Sequence, residues 1–137
     1  MSKITLDEYL MGRDKVAPLT KEQKTNAQKL LDSVNKLLSF FNKPVKVSSG
    51  YRPAQINKSV GGAAQSAHMT CEAVDLADPN SELARWCLKN LDKIKECGLY
   101  LEDPRWTPTW VHLQIRAPKS NNTVFIPNSS PPSRQNV

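Results

Sequence analysis

Two histidines and one aspartate carry the clearest chemical signal in this sequence of 137 residues. His68 and His112 are its only histidines, and Asp75 follows His68 closely. A site that needs imidazole must therefore combine the stretch Ser48–Leu76 with the later stretch Thr109–Gln114. Two neutral imidazoles and a carboxylate suit zinc better than magnesium or calcium, which prefer oxygen ligands. On residue types alone, a hydrogen-bonded core or surface histidine remains the commoner alternative.

Predicted strands would hold two of these three residues. The alternation over Cys71–Leu76 predicts a strand at Ala73–Ala77, while Leu99–Glu102 and Trp110–Ile115 predict an antiparallel pair. His68 would project from the loop before the first of these strands. The three candidate ligands can therefore meet on one sheet.

Helical periodicity predicts the scaffold around these strands. Thr20–Phe41 is the strongest helix, because Thr20 and Gln23 form a capping-box pattern before a regular apolar stripe. A second amphipathic helix is predicted from Leu83 to Cys97, and Gly98 stands where a C-cap glycine belongs. The weaker elements are a strand at Val45–Ser48, a helical turn at residues 53–59, and a strand at Thr123–Ile126. Because the elements lack regular βαβ alternation, we predict an α+β fold.

The composition limits the class of protein. With 39% hydrophobic and 23% charged residues, the chain predicts one globular domain at 20–127, after a lead segment at 1–19 and before a disordered tail at 128–137. The net charge of +6 favours anionic partners, but the basic residues are scattered, which disfavours nucleic acid. The three cysteines form no CxxC pair. We expect a soluble monomer made in the cytoplasm, with neither a signal peptide nor a membrane span.

Several short motifs follow one another between Val45 and Gln114. They are Ser49-Gly50-Tyr51-Arg52, Asn57, Val60-Gly61-Gly62, Ser66-x-His68, Ala73-x-Asp75 and Trp110-Val111-His112. In this order they resemble the M15 family of zinc D-Ala-D-Ala peptidases, most closely its short branch of bacterial wall carboxypeptidases and bacteriophage endolysins. The resemblance covers about half of the chain. It implies a small antiparallel sheet with flanking helices, as in the D-Ala-D-Ala carboxypeptidases and the hedgehog signalling domain.

The resemblance also implies roles for individual residues. His68, Asp75 and His112 correspond to the zinc ligands, and Arg52 to an arginine that holds the substrate carbonyl or carboxylate beside the metal. A fixed cation there can stabilise a developing oxyanion, whereas the structural alternative is an arginine packed on a neighbouring tyrosine. Ser66 is predicted to bind substrate, a ligand carboxylate or a loop carbonyl, with a purely structural turn role as the alternative.

The general base is less clearly marked. Many family members have a glutamate three residues before the second ligand histidine, but this chain has Thr109, which cannot accept a proton. The short branch tends to end the preceding strand with a glutamate, which makes Glu102 the predicted base and Asp103 the reserve. An exposed carboxylate without a chemical role is the alternative. Trp106, in the loop that follows, is predicted to contact substrate, while Trp110 fits substrate contact and core packing equally.

Cys71 departs from the family pattern, which has glycine at this position. Cysteine fits there if φ is negative and is strained if φ is positive. A Cys71 thiolate could also compete with Asp75 for zinc, although we favour a small buried residue.

These observations predict a zinc peptidase that hydrolyses an amide bond in the stem or crosslink peptides of peptidoglycan. A phage-type lysis protein, released to the wall by a holin, is the expected setting. Whether a DD, LD or L-Ala-D-Glu bond is cut stays open. The alternative is a non-catalytic structural or wall-binding protein that retains the fold, which Thr109 and Cys71 favour.

Overall fold

The structure is a computed structural model that describes residues 3–127. Within these residues, five α-helices and one five-stranded sheet form an α+β fold, as predicted. The helices are α1 (Leu6–Leu10), α2 (Lys21–Phe41), α3 (Ala54–Ser59), α4 (Glu82–Lys89) and α5 (Leu91–Glu96). The strands are β1 (Val47–Ser49), β2 (Ala73–Ala77), β3 (Tyr100–Glu102), β4 (Trp110–Gln114) and β5 (Val124–Phe125). Within residues 3–127, no helix has both the length and the apolar character needed to cross a membrane.

The sheet brings distant segments side by side. Its strand order is β1-β2-β4-β3-β5, and every neighbouring pair is antiparallel except β3 with β5. The predicted antiparallel pairing of β3 with β4 is thus confirmed. Asp75 on β2 lies opposite Ser49 on β1 and His112 on β4. Because directly opposed residues project to the same face, β2 places its carboxylate between two neighbouring strands.

Helix α2 forms one side of the core, as its periodicity predicts. The Thr20 hydroxyl accepts a hydrogen bond from the Gln23 amide at 3.1 Å, and the Gln23 side chain accepts one from the Thr20 amide at 2.8 Å. This reciprocal cap satisfies two amide donors that have no partner inside the helix. The helix buries the apolar stripe Ala27, Leu30, Leu31, Val34, Leu37, Leu38 and Phe41.

The single helix predicted from Leu83 to Cys97 is wrong, because the chain forms α4 and α5 with a break at Asn90. Asn90 adopts φ −130° and ψ 40°, and its side-chain amide donates to the Trp86 carbonyl at 2.8 Å. Asparagine side chains compete with the helix ladder for backbone groups in this way. Gly98 does follow the second helix, at φ +73°.

Residues 3–19 contribute to the same core. Tyr9 is completely buried, and its hydroxyl donates to the Ala73 carbonyl on β2 at 2.9 Å. The Tyr9 carbonyl in turn accepts from the Tyr51 amide at 3.0 Å. Gly50 packs closely on the Tyr9 backbone, and a Cβ at this position would overlap the Tyr9 carbonyl group. The N-terminal segment therefore supports the strands that carry the site.

We expect Gly50→Ala to destabilise the protein by about 3 kcal/mol, because overlap with backbone cannot be relieved by a side-chain rotation. The measurement is urea unfolding of the metal-free protein. Gly98→Ala is the matched control, since that glycine has a positive φ but nothing within 4 Å of an added Cβ. The control should lose only about 1 kcal/mol. Equal losses in the two variants would contradict the predicted role of the Tyr9 contact.

Candidate metal centre

Three buried side chains meet on the sheet. His68, Asp75 and His112 each offer one ligand atom, and these atoms all lie within 4.8 Å of one another. None of the three residues is more than 8% exposed. The sequence predicted this set, and the structure brings all three together.

His68 is held by the loop on which it lies. Its amide donates to the Ser66 hydroxyl at 3.2 Å, and its carbonyl accepts from the Arg52 amide at 3.1 Å. In the ring, Nδ1 lies 2.9 Å from the Gly50 carbonyl oxygen and Nε2 lies 3.3 Å from Asp75 Oδ2. Ser66 therefore stabilises the turn and also lines the cavity above the site. Its predicted contact with substrate stays a prediction.

His112 contacts the same carboxylate from the opposite strand. Its Nδ1 lies 2.9 Å from Asp75 Oδ1, and its Nε2 lies 2.7 Å from Gln114 Oε1. Gln114 is a site residue to which the sequence analysis gave no role. The available signal was its position two residues after His112, since alternate residues of a strand share a face.

The pKa values of Asp75 and His112 are both shifted by their neighbours. Burial by itself raises the pKa of the Asp75 carboxyl, but His68 and His112 outweigh burial and hold the pKa well below its usual range. Burial by itself lowers the pKa of His112, but the hydrogen bond and the charge of Asp75 raise it to about 9. Without metal, His112 is therefore protonated at neutral pH and forms an ion pair with Asp75.

Protons should compete with a metal ion for His112. Because the pKa of His112 is about 9 and a ligating nitrogen must give up its proton, we expect metal affinity to rise about tenfold per pH unit between about pH 6 and pH 8. Titration calorimetry in buffers of different ionisation enthalpy would count the protons released. About one per metal ion is expected from His112. A flat affinity without proton release would contradict this prediction.

Arg52 borders the centre on the side of β1. Its guanidinium donates to the Asn57 side chain at 3.2 Å and to the Ser49 hydroxyl at 3.3 Å, and it lies 3.7 Å from Asp75 Oδ2. Burial lowers the pKa of this group, and the Asp75 charge partly opposes the change. Gly62 allows the arrangement, because a Cβ there would overlap the Asn57 side chain. These polar contacts differ from the alternative of an arginine packed on tyrosine.

A cavity of about 820 Å³ opens above the centre, and Glu102 lines it together with the three candidate ligands and Arg52. Burial raises the pKa of the Glu102 carboxyl, and His112 partly opposes this while Asp75 and Asp103 add to it. Asp103 is not among the described residues that line the cavity. Its carboxylate instead bonds the Arg105 guanidinium at 2.9 and 3.2 Å. Of the two carboxylates predicted as the base, Glu102 is the one beside the metal centre.

The two tryptophans differ in position. Trp110 lines the cavity, whereas Trp106 is not among the described residues that do so. Trp106 lies in the 3₁₀ turn Pro104–Trp106, with the Arg105 guanidinium 5.1 Å from the centre of its ring system. The short turn after Asp103 holds Trp106 beside its neighbour, so its predicted contact with substrate gains no support here.

Cys71 adopts the strained conformation that the sequence analysis considered. Its φ is +61°, which costs a residue with a Cβ about 1–2 kcal/mol. The side chain is completely buried, and burial raises the pKa of its thiol to about 11 although a hydrogen bond with Tyr9 lowers it. The described residues that could together hold a metal ion do not include Cys71. It is a buried packing residue, as favoured above.

The donor set fits a metal ion. Two imidazole nitrogens and one carboxylate oxygen converge, and the cavity leaves room for a further ligand, as in catalytic zinc sites with three protein ligands. The Gly50 carbonyl and Gln114 bond the outer ring nitrogens, as is usual around ligating histidines. His68, Asp75 and His112 could therefore hold a divalent ion, and the donor types favour zinc.

Fold and donor set together define a small α+β protein with a buried group of two histidines and one carboxylate that could hold a metal ion. The sequence model of the Peptidase M15 family matches residues 3–114, and the chain belongs to this family of metallopeptidases. No curated protein matches the sequence significantly. The family match confirms the predicted resemblance, and it ends at the last residue of β4.

Proposed function

We propose that the protein is a zinc-dependent peptidase that hydrolyses an amide bond in the stem or crosslink peptides of peptidoglycan. One observation carries this proposal: the buried His68, Asp75 and His112 group lies in an open cavity together with Arg52 and Glu102. A structural metal site has no need for an open cavity with a cation and a carboxylate beside it. Family membership supports a peptide substrate.

Zinc held at this centre would supply a Lewis acid that polarises the scissile carbonyl and acidifies a water molecule. The protein's own residues supply the rest of the chemistry. Glu102 takes a proton from the attacking water and delivers it to the leaving amine. The partial burial of its carboxylate supports this role, since a carboxylate removed from water is a stronger base.

Arg52 stabilises the negative charge that develops on the carbonyl oxygen. Its guanidinium is held by Ser49 and Asn57, so it needs no rearrangement when charge appears. A preorganised cation in a partly buried site stabilises an oxyanion more strongly than a mobile one in water. Arg52 can equally bind a substrate carboxylate, which a carboxypeptidase would require.

The charge of the cavity and membership of the family both support the proposed substrate class. Peptidoglycan peptides carry free carboxylates, and the cavity is lined by the cations Arg52, Arg116 and Lys119 in a chain of net charge +6. Ser66 and Trp110 offer a hydroxyl and an aromatic surface at the same cavity. We further propose a phage-type lysis role, in which a holin gives the protein access to the wall.

The test is hydrolysis of isolated cell walls. Protein stripped of metal and reloaded with zinc should release new amino groups, and mass spectrometry of the fragments identifies the bond that is cut. Asp75→Ala should release none, because it lacks the anionic ligand. If the zinc-loaded protein leaves walls intact while Asp75→Ala binds zinc equally well, the proposed function is wrong.

A non-catalytic wall-binding protein is the second candidate. Thr109 is exposed and occupies the position at which many family members carry a glutamate. Cosedimentation with walls separates the two candidates. Binding that persists in both the metal-free protein and Glu102→Gln, without release of amino groups from the wild type, would favour the non-catalytic protein.

A further inference from the structure

A chain of hydrogen bonds leads from a backbone carbonyl to the candidate ligand on β4. The Gln114 side-chain amide donates from Nε2 to the Arg116 carbonyl at 2.7 Å. At its other end, Gln114 Oε1 lies 2.7 Å from His112 Nε2. Gln114 is only 7% exposed, so water does not compete freely for these bonds.

The Arg116 carbonyl determines which group donates and which accepts in each hydrogen bond of this chain. A backbone carbonyl can only accept, so the NH₂ end of Gln114 must face Arg116. The oxygen of Gln114 must then face His112, and an amide oxygen can also only accept. His112 Nε2 therefore carries a hydrogen. The other nitrogen, Nδ1, is the one that faces Asp75 and the metal centre.

The backbone carbonyl at the start of the chain is itself fixed. The Arg116 guanidinium donates to Glu72 Oε1 at 3.0 and 3.2 Å, and to the Gln65 carbonyl. One residue earlier, the Ile115 amide donates to the Glu72 carbonyl at 2.9 Å. These bonds hold the chain after β4 against the segment before β2. Gln114 therefore has a rigid partner on one side and the imidazole on the other.

The two candidate histidines differ in how they are oriented. For His68 the partner is the Gly50 carbonyl, which no substitution of a side chain removes. For His112 the partner is a side chain. The orientation of the second imidazole therefore depends on the identity of one residue, and that dependence can be tested.

We propose that Gln114 is a positioning residue that fixes the ring of His112 with Nδ1 toward the metal and Nε2–H toward the glutamine. This inference rests on the metal centre of the proposed function. A glutamine is suited to this role because its amide is neutral and its two ends are chemically distinct. Its NH₂ group bonds the backbone carbonyl, and this orientation places its oxygen toward the imidazole N–H.

Long-range ¹H–¹⁵N NMR of the histidine rings tests the proposal in the wild-type protein loaded with zinc. We expect His112 to bind the metal through Nδ1 and to retain a hydrogen on Nε2. Binding through Nε2 would overturn the proposal while leaving the proposed function intact. A wild-type protein that binds no zinc would overturn both.

Variants extend the test to affinity. Gln114→Leu should bind zinc about 10- to 100-fold more weakly, because partners of ligating histidines contribute about that much. Gln114→Glu keeps an acceptor for Nε2–H but loses the donor to the Arg116 carbonyl, so it should lose less zinc affinity than Gln114→Leu without matching the wild type. Gln28→Leu makes the same change on the exposed surface of α2, where Gln28 bonds Asp32, and should bind zinc as the wild type does.

Zinc binding by Gln114→Leu within about twofold of the wild type would overturn the proposal, as would equal losses in Gln114→Leu and Gln114→Glu. Circular dichroism and thermal unfolding of each metal-free variant establish that it is folded. Should Gln114→Leu fail to fold, the NMR spectra of the wild type and the affinity of Gln114→Glu decide the question.

Discussion

Glu102→Gln should abolish most of the peptidase activity while leaving metal binding unchanged. The substitution keeps the size of the side chain but removes the group that takes up a proton. Loss of a general base lowers kcat by about 10²- to 10⁴-fold. The measurement is kcat on a soluble peptidoglycan fragment, with zinc content determined for the same preparation. Because Glu102 is not among the residues that could hold the ion, the zinc content should not change.

Asp103→Asn is the matched control for this substitution. The two carboxylates are neighbours in the chain, and both were predicted from the sequence as candidates for the base. The Asp103 carboxylate bonds Arg105, so its conversion to an amide should loosen the 3₁₀ turn and leave kcat within about threefold of the wild type. If Asp103→Asn lost the activity and Glu102→Gln kept it, the assignment of the base would be reversed.

The position of Glu102 at the end of β3 explains why the two variants should differ. Glu102 pairs with Phe125 of β5, and Phe125 lies edge to face against the His112 ring, with ring centres 6.1 Å apart. Glu102 therefore lies beside the last strand, and both Glu102 and Phe125 line the cavity. One residue later the chain enters the 3₁₀ turn, and Asp103 caps that turn by accepting from the Arg105 amide at 3.0 Å. Because β3 ends at Glu102, the two adjacent acidic residues lie in different surroundings.

Local patterns predicted the elements that position the site. Helix α2 carries a capping box and a regular apolar stripe, and β2 spans the residues predicted for it, although its first four residues are all buried. The candidate ligands were predictable for a simpler reason. With only His68 and His112 available, any site built on imidazole had to bring their two segments together.

Features that depend on one particular hydrogen bond or on the exact path of a loop were not predicted. The break at Asn90 depends on a side-chain bond to the preceding turn, and the positive φ of Cys71 depends on how the loop meets β2. The role of Gln114 required its amide to lie between His112 and the Arg116 carbonyl. None of these contacts leaves a periodic trace in the sequence, because each joins one particular pair of groups.

Part of the cavity lies outside the residues that match the family. The family match ends at residue 114, whereas several residues beyond it line the cavity. Those residues include Lys119, Asn122, Val124, Phe125 and Ile126. The matched part of the chain therefore contains the candidate metal ligands and one side of the cavity, and the other side is formed by residues beyond the match.

Asp75→Asn should have the largest effect on the metal centre. Its carboxylate lies 2.9 Å from His112, 3.3 Å from His68 and 3.7 Å from Arg52. It therefore contacts both other candidate ligands and the neighbouring cation. The amide keeps the shape but is a poor ligand and carries no charge. We expect zinc affinity to fall by more than about 100-fold, beyond the loss from removing an outer partner. Peptidase activity at limiting zinc should fall in proportion.

The same variant should change how the metal-free protein responds to pH. In the wild type, the raised pKa of His112 stabilises the fold fully below the unfolded value of about 6.5, and this contribution is lost as pH rises through about 9. The lowered pKa of Asp75 contributes above about 3.9 and is lost only in strong acid. The melting temperature of the metal-free wild type should therefore fall from neutral to alkaline pH.

In Asp75→Asn the charge and the hydrogen bond that contribute most to the raised pKa of His112 are gone, and only Glu102 and Gln114 still oppose the lowering by burial. The alkaline decline in stability should then become smaller and move to lower pH, because His112 gives up its proton more easily. Glu102→Gln is the control: it removes a smaller cause of the raised pKa of His112 but leaves the Asp75–His112 ion pair in place, so it should retain most of the decline. An unchanged pH profile in Asp75→Asn would mean that the ion pair does not hold the proton on His112. Competition between protons and metal at this centre would then need another source.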